Sequence, residues 1–273
     1  MRGYPADEAR VRMSKFLITA ACLMENFINM NQPLISFIIP VFNEEKNLAQ
    51  TLSPLRSLTW LDKEIIVADG GSTDNTVVIA QELADKVYIR KPGEKNKSIG
   101  ENRNKGASLA GGRYLIFIDC GVVIGRLDQF IRAVLAVLEG DQKTVGLTLE
   151  VRFYPEEETN FDRFNLWMIN KGIEGLNMIR MGVAMGWVQV VRRESFLKIR
   201  GYNEKLITQE DSNLFLRLNK IGRTQVLKNF IAYGASTRFR REGWLKMVWV
   251  WFINMLWIIF TGKAHIKEWK KID

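Results

Sequence analysis

Between residues 34 and 118 the chain repeats one kind of unit: an apolar run, a polar turn, and then a helical pattern. The runs at 34–40 and 114–118 read as buried strands, with further strands at 64–68 and 87–90. Asn43, Glu44 and Glu45 follow the first run and are expected to open a helix carrying Leu48, Leu52 and Leu55. A loop from Asp69 to Asp74 feeds a second helix over 75–83, and a third over 99–109 stops at Gly111 and Gly112. Repeated strand-turn-helix units of this kind build a right-handed, parallel sheet. The expected fold class is α/β, with a Rossmann-like, mostly parallel central sheet flanked by helices.

The run 114–118 ends at Asp119, followed by Cys120 and Gly121, so a carboxylate sits at the carboxyl end of a strand, where open α/β sheets bind ligands. Further on, spacing predicts a helix over 127–138, a strand over 145–153 and a longer helix over 161–179. A turn with Gly182 and Gly186 leads to a strand at 187–192 and a short helix at 193–199. Glu210 and Asp211 then open a helix through Leu218, acidic residues at its favourable end. No internal repeat is found.

Residue counts exclude several chemistries. His265 is the only histidine, which argues against a Ser-His-Asp triad, histidine-ligated zinc or a histidine base, and leaves acid-base work to carboxylates. Cys22 and Cys120 lie far apart and form neither a disulfide framework nor a clustered metal site. The first turn lacks Gly-x-Gly-x-x-Gly, against a dinucleotide oxidoreductase. The net charge of +9 favours an anionic partner. The basic residues cluster beside a tryptophan-rich run and not among stacking aromatics, so no nucleic-acid partner is expected.

One ordered set of motifs adds an identity to this reading. Pro40-Val41-Phe42-Asn43-Glu44, the loop from Asp69 to Asp74, Arg103-Asn104, Asp119, and Gly201-Tyr202 followed by Glu210-Asp211 resemble the family 2 glycosyltransferases of GT-A fold. The resemblance implies a catalytic domain over 33–241, an N-terminal extension over 1–32 and a C-terminal segment over 242–273. It implies transfer of a sugar from a nucleoside-diphosphate sugar to an acceptor hydroxyl or phosphate, with inversion at the anomeric carbon.

The same resemblance distributes roles. Pro40, Phe42, Asn43 and Glu44 are implied to cradle the nucleotide, where a helix N-terminus would also attract anions; a plain helix cap is the alternative for Asn43 and Glu44. Asp69 is implied to meet the base or ribose, although a loop-capping role explains Asp69, Ser72 and Asp74 equally. Arg103 is implied to reach the nucleotide or the neighbouring acids. Asp119 matches the first acid of the family's Asp-x-Asp metal motif, but Cys120 and Gly121 follow, so one carboxylate with phosphate oxygens and waters would hold Mg²⁺ or Mn²⁺. Arg238 and Arg241, three residues apart, match a basic segment suited to the donor's diphosphate. Asp211 is implied to be the general base, with Glu210 orienting it or the acceptor. The incomplete metal motif leaves a second reading open: a catalytically weak nucleotide-binding partner of a membrane glycan-assembly enzyme.

The C-terminal segment carries four tryptophans between residues 244 and 260, and only sixteen residues, 247–262, are free of charge. Such a helix reaches roughly 24 Å, short of the ~30 Å hydrocarbon core. From Arg238 onward there are eight Lys or Arg against three acids, which describes an amphipathic, membrane-associated segment on an anionic surface. The expected place is the cytoplasmic face of the cell membrane, peripherally or weakly anchored, with a glycan or lipid-linked acceptor. The apolar run 16–23 is read as a poorly packed N-terminal helix and not as a signal peptide.

Overall fold

Every residue of strand β1 (Ile35–Val41) is buried, because the strand has neighbours along both edges and helices over both faces. A computed structural model of the protein describes residues 32–91, 93–94 and 98–261. The N-terminal residues 1–31 with Cys22, the polar positions 95–97, and 262–273 with His265 lie outside the described residues.

β1 pairs in parallel with β2 (Lys63–Asp69) on one side and β4 (Tyr114–Ile118) on the other, and β2 pairs in parallel with β3 (Lys86–Ile89). With β5 (Val123–Ile124), β6 (Thr144–Phe153), β7 (Val188–Arg192) and β8 (Arg223–Gly234), the sheet order is β3-β2-β1-β4-β7-β6-β8-β5. Beyond β4 the expected parallel arrangement gives way. β7 runs antiparallel to both β4 and β6. β8 returns parallel to β6, and the two-residue β5 pairs antiparallel with its end. The sheet is therefore mixed, a correction to the mostly parallel expectation. β8 was not foreseen: Lys228 and Asn229 interrupt its apolar pattern, and Asn229 has φ of 68°.

Alternation along β1 assigns the helices to two layers. Ile35, Phe37 and Ile39 join the core under α1 (Leu48–Arg56) and α4 (Leu127–Gly140). Ile38 points the other way, into a core with α3 (Ile99–Ser108), α6 (Arg193–Lys198) and α7 (Glu210–Leu218). Each large side chain fully buried this way contributes ~1.5–3 kcal/mol. The helix expected to open at Asn43 starts instead at Leu48, after a turn, while α2 (Thr76–Leu83) follows its loop as read. Gly112 allows a close approach: a Cβ there would stand 2.5 Å from the Ser36 nitrogen.

The remaining helices are α5 (Asn160–Met178), α8 (Thr237–Glu242) and α9 (Trp244–Thr261). The amphipathic pattern expected of α9 is not shown by its described side chains. Trp244 and Met247 are buried while Leu245, Val248 and Trp249 are exposed, so its described part is apolar toward the protein and toward the outside alike. Among the described residues no helix is long and apolar enough to cross a membrane.

Candidate active site

The sheet topology brings the acids together. Because β7 runs antiparallel to β4, the chain entering β7 lies against the residue leaving β4, and the Asp119 N–H donates to the Trp187 carbonyl at 3.0 Å. Gly186 is thereby set beside Asp119. On the other side of the same space, α7 presents Glu210 and Asp211 from its first turn.

Arg103, on α3, joins the two walls. Its Nη2 donates to Asp119 Oδ1 at 2.6 Å and to the Gly186 carbonyl at 3.1 Å, and its Nη1 donates to Glu210 Oε1 at 2.6 Å. The guanidinium is 1% exposed and lies 5.3 Å from the centre of the Tyr202 ring. Asn104, the next residue, clamps the turn that carries Tyr202: its Oδ1 accepts from the Tyr202 N–H at 2.8 Å and its Nδ2 donates to the Tyr202 carbonyl at 2.9 Å. The expected Arg-Asn pair is thus a structural unit in which the arginine reaches the acids and the asparagine holds the aromatic ring beneath it.

Gly186 marks the point of convergence. A Cβ at that position would stand 3.2 Å from Asp211 Oδ2, 3.4 Å from Arg103 Nη2 and 3.8 Å from Asp119 Oδ2. One oxygen from each acid faces the same point, and a side chain there would press on Asp211 and come into contact with Asp119. Sequence reading noted this glycine only as part of a turn, and its sole signal was the absence of a side chain just before a strand.

Burial raises the carboxyls of both acids. Burial pushes the Asp211 carboxyl up, and the adjacent Glu210 charge adds to this, to about 8. Asp211 Oδ1 accepts from the Ser212 N–H at 2.7 Å, leaving Oδ2 toward Gly186. The Asp119 carboxyl is also raised by burial, with Arg103 opposing the rise. Burial of Cys120, and the charge of Glu44, push its thiol up to about 12, so it is not a thiolate nucleophile. The Glu44 charge acts on Asp119 too, which sets the first loop beside the same acids.

The loops after β1 and β2 are stitched to each other. The N–H groups of Asn43, Glu44 and Glu45 donate to Ser72 Oγ at 2.8 Å, Thr76 Oγ1 at 2.7 Å and Asp74 Oδ2 at 3.2 Å. These amides are therefore engaged and are not the free helix N-terminus expected for an anion, which corrects that part of the reading. Asn43 takes a φ of 52° at the bend, and its Oδ1 accepts from the Thr73 N–H at 2.8 Å. Asp69 is 1% exposed, and its carboxylate accepts from the amides of Gly71 and Ser72 and from the Ser72 hydroxyl. These bonds hold the loop. Pro40 is buried in β1, whereas Phe42 is 39% exposed at the strand's end.

Arg238 and Arg241 share α8, the first half-buried and the second exposed, with Glu242 as a charged neighbour of Arg238. Arg240, between them, is engaged with Asp162 and the Glu157 carbonyl. Among the described residues no three His, Cys, Asp or Glu side chains cluster as a metal site. Asp119 Oδ2 is a hard oxygen donor facing the space at Gly186, and as a single carboxylate it suits Mg²⁺ or Mn²⁺ only if phosphates or waters complete the shell.

Comparison with known proteins gives this arrangement a family. The chain is 29% identical over 198 residues to the succinoglycan biosynthesis protein ExoA of Rhizobium meliloti, covering 68% of this chain and 58% of that protein. It is 35% identical over 112 residues to a validoxylamine A glucosyltransferase of Streptomyces hygroscopicus, covering 40% of this chain and 24% of that one. The chain thus spans less than two thirds of the length of either relative. Among solved structures, the mannosyltransferase PcManGT of Pyrobaculum calidifontis, in complex with GDP-Man and Mn²⁺, superposes with a TM-score of 0.61 at 17% identity, covering 85% of this chain and 66% of that one. Residues 1–349 of S. aureus TarS give 0.58 at 17% identity over the same shares. These neighbours show the GT-A-like α/β fold. The model of Glycosyl transferase family 2 matches residues 36–200, and the chain belongs to that family.

Proposed function

We propose that the protein transfers a sugar from a nucleoside-diphosphate sugar to an acceptor hydroxyl or phosphate by a single, inverting displacement. The convergence of Asp119 Oδ2 and Asp211 Oδ2 on the space at Gly186 carries this reading. The donor lies on the Asp119 side, walled by Pro40, Phe42, Asn43 and Glu44, with the loop that Asp69 holds behind them. Asp211 Oδ2 removes the acceptor proton as the hydroxyl attacks the anomeric carbon. A carboxyl raised to about 8 is a stronger base than an ordinary aspartate, matched to a proton transfer near neutral pH.

Glu210 has two tasks: it accepts from Arg103, which fixes the first turn of α7, and its charge raises the basicity of Asp211. Arg103 is a positioning residue holding donor-side and base-side acids in register. Arg238 and Arg241 supply positive charge for the departing diphosphate. A divalent cation held by Asp119 would neutralise the same developing charge; structures of similar fold include one with Mn²⁺ bound. The acceptor is a glycan or a lipid-linked molecule, and α8 with α9 rests on the anionic cytoplasmic face of the membrane.

The test is a donor panel. UDP-, GDP- and dTDP-sugars are screened for thermal stabilisation with and without Mn²⁺, then for transfer by wild type and Asp211→Asn. Stabilisation by at least one donor in both proteins, with transfer lost only in the variant, is the expected result. Donor binding with no Asp211-dependent transfer over a broad acceptor panel would favour the nucleotide-binding partner.

A further inference from the structure

Helix α5 is built inside out. Its buried positions are Asp162, Leu166, Asn170, Ile173 and Asn177, three of them polar. Each polar one is engaged: Asp162 by Trp244 Nε1 at 2.7 Å, Asn170 by both backbone groups of Val151 at 3.0 Å, and Asn177 by Thr224 Oγ1 at 2.7 Å. The helix is thus docked by hydrogen bonds together with the apolar contacts of Leu166, Ile169 and Ile173. Its outer face carries Phe161, Phe164, Trp167 and Met168, at 63%, 60%, 52% and 53% exposure. At about 100° per residue these four fall within an arc of roughly 120°, a single apolar stripe turned away from the protein.

The stripe continues into α9. The Phe161 ring stands 6.5 Å from the Trp244 ring at 90°, and Leu245 and Trp249, in the next turns of α9, are 90% and 64% exposed. Exposed aromatic and aliphatic patches of this extent mark an interaction surface. Seven Lys or Arg against three Asp or Glu lie across residues 160–181 and 237–261. Arg163 beside the stripe, Lys171 one turn further along the same face of α5, and Lys246 on α9 are largely exposed, each shared with one glutamate.

We propose that the outer face of α5 is the second half of a bilayer-docking surface, seated with α9 on anionic lipid. The inference rests on the membrane reading above and extends it to a helix inside the catalytic domain. Phenylalanine, tryptophan and methionine enter the headgroup boundary, and the neighbouring cations meet lipid phosphate. In this proposal the acceptor side of the Asp119–Asp211 space faces the bilayer on which α5 and α9 rest. A lipid-linked acceptor would reach Asp211 without leaving the membrane.

The experiment is flotation of the full chain with phosphatidylcholine vesicles and with vesicles containing about 30% phosphatidylglycerol. Wild type should float with the anionic vesicles, and Phe164→Glu with Trp167→Glu should weaken partition at least about tenfold. Trp249→Glu on α9 serves as the reference variant, and donor-induced thermal stabilisation, which depends on neither helix face, checks that each variant folds. Anionic-vesicle binding unchanged in the α5 variant but lost in the α9 variant overturns the inference and leaves the α9 anchor standing. Absence of vesicle binding by wild type overturns both. A concentration-dependent dimer of wild type that the α5 variant disperses, without loss of vesicle binding, assigns the face to a second copy and also overturns the proposal.

Discussion

The Arg103 guanidinium meets the Asp119 carboxylate at 2.6 Å and, with its other terminal nitrogen, Glu210 at the same distance, so one buried cation ties the end of β4 to the start of α7. Neither acid is adjacent to Arg103 in sequence. Their relation exists only because α3 packs across the sheet next to α7, where Gly100 lets the Glu210 side chain approach a would-be Cβ to 3.5 Å.

Arg103→Met removes the cation and leaves the buried Glu210 and the partly exposed Asp119 without it; the cost is about 3–5 kcal/mol for a buried pair and less where one partner reaches water. Chemical denaturation should show a loss of that order. Arg103→Lys supplies charge but no fork and should recover only part of it. A loss under 1 kcal/mol would show that the clamp is dispensable.

Gly186→Ala places a methyl group 3.2 Å from Asp211 Oδ2 and 3.4 Å from Arg103 Nη2. The contact is tight but yields by tenths of an ångström. Transfer should fall at least about tenfold through misplacement of the acids, with the melting temperature close to wild type. Full activity in this variant would mean that the space at Gly186 is not where the reacting groups meet.

Asp211 acts as a base only when ionised. Its folded value of about 8 lies above the ordinary one near 3.9, so kcat/KM should climb as pH rises through 7 and level off above about 8. Asp211→Asn should flatten the profile and lower kcat by about 10²–10⁴. The raised value has a cost for folding: the native state favours the protonated form, so this group's favourable contribution is present at low pH and lost as pH rises toward 8. A profile that stays flat from pH 6 to about 9 would remove Asp211 from the proton transfer.

Asp162 shows the opposite linkage. Burial acts to raise its carboxyl, but hydrogen bonds from Arg240 and Thr159, with Trp244 adding to them, outweigh it and hold the group well below the usual range. Its contribution is therefore present above about pH 3.9 and is lost as pH falls through the lower folded value. Asp162→Asn should destabilise the fold by ~2 kcal/mol near neutrality, and the gap from wild type should close in acid. An equal gap at pH 7 and about pH 2 would exclude this account.

Local pattern alone marked the apolar runs that became β1, β2 and β4, the helix opened by Glu210 and Asp211, and Asp119 at a strand end. Those features depend on residue spacing, which a chain displays before it folds. The direction of β7 and the existence of β8 were decided by pairing across the sheet, and spacing says nothing of a strand's partner. Direction then settled the site, because only an antiparallel β7 delivers Gly186 to Asp119. The engaged amides of Asn43, Glu44 and Glu45 likewise depend on side chains from the next loop. α5 makes the sharpest contrast: its apolar positions are plain in the sequence, yet which of them face outward was decided by hydrogen bonds to β6, α8 and α9, since buried polar groups must find partners wherever packing places them.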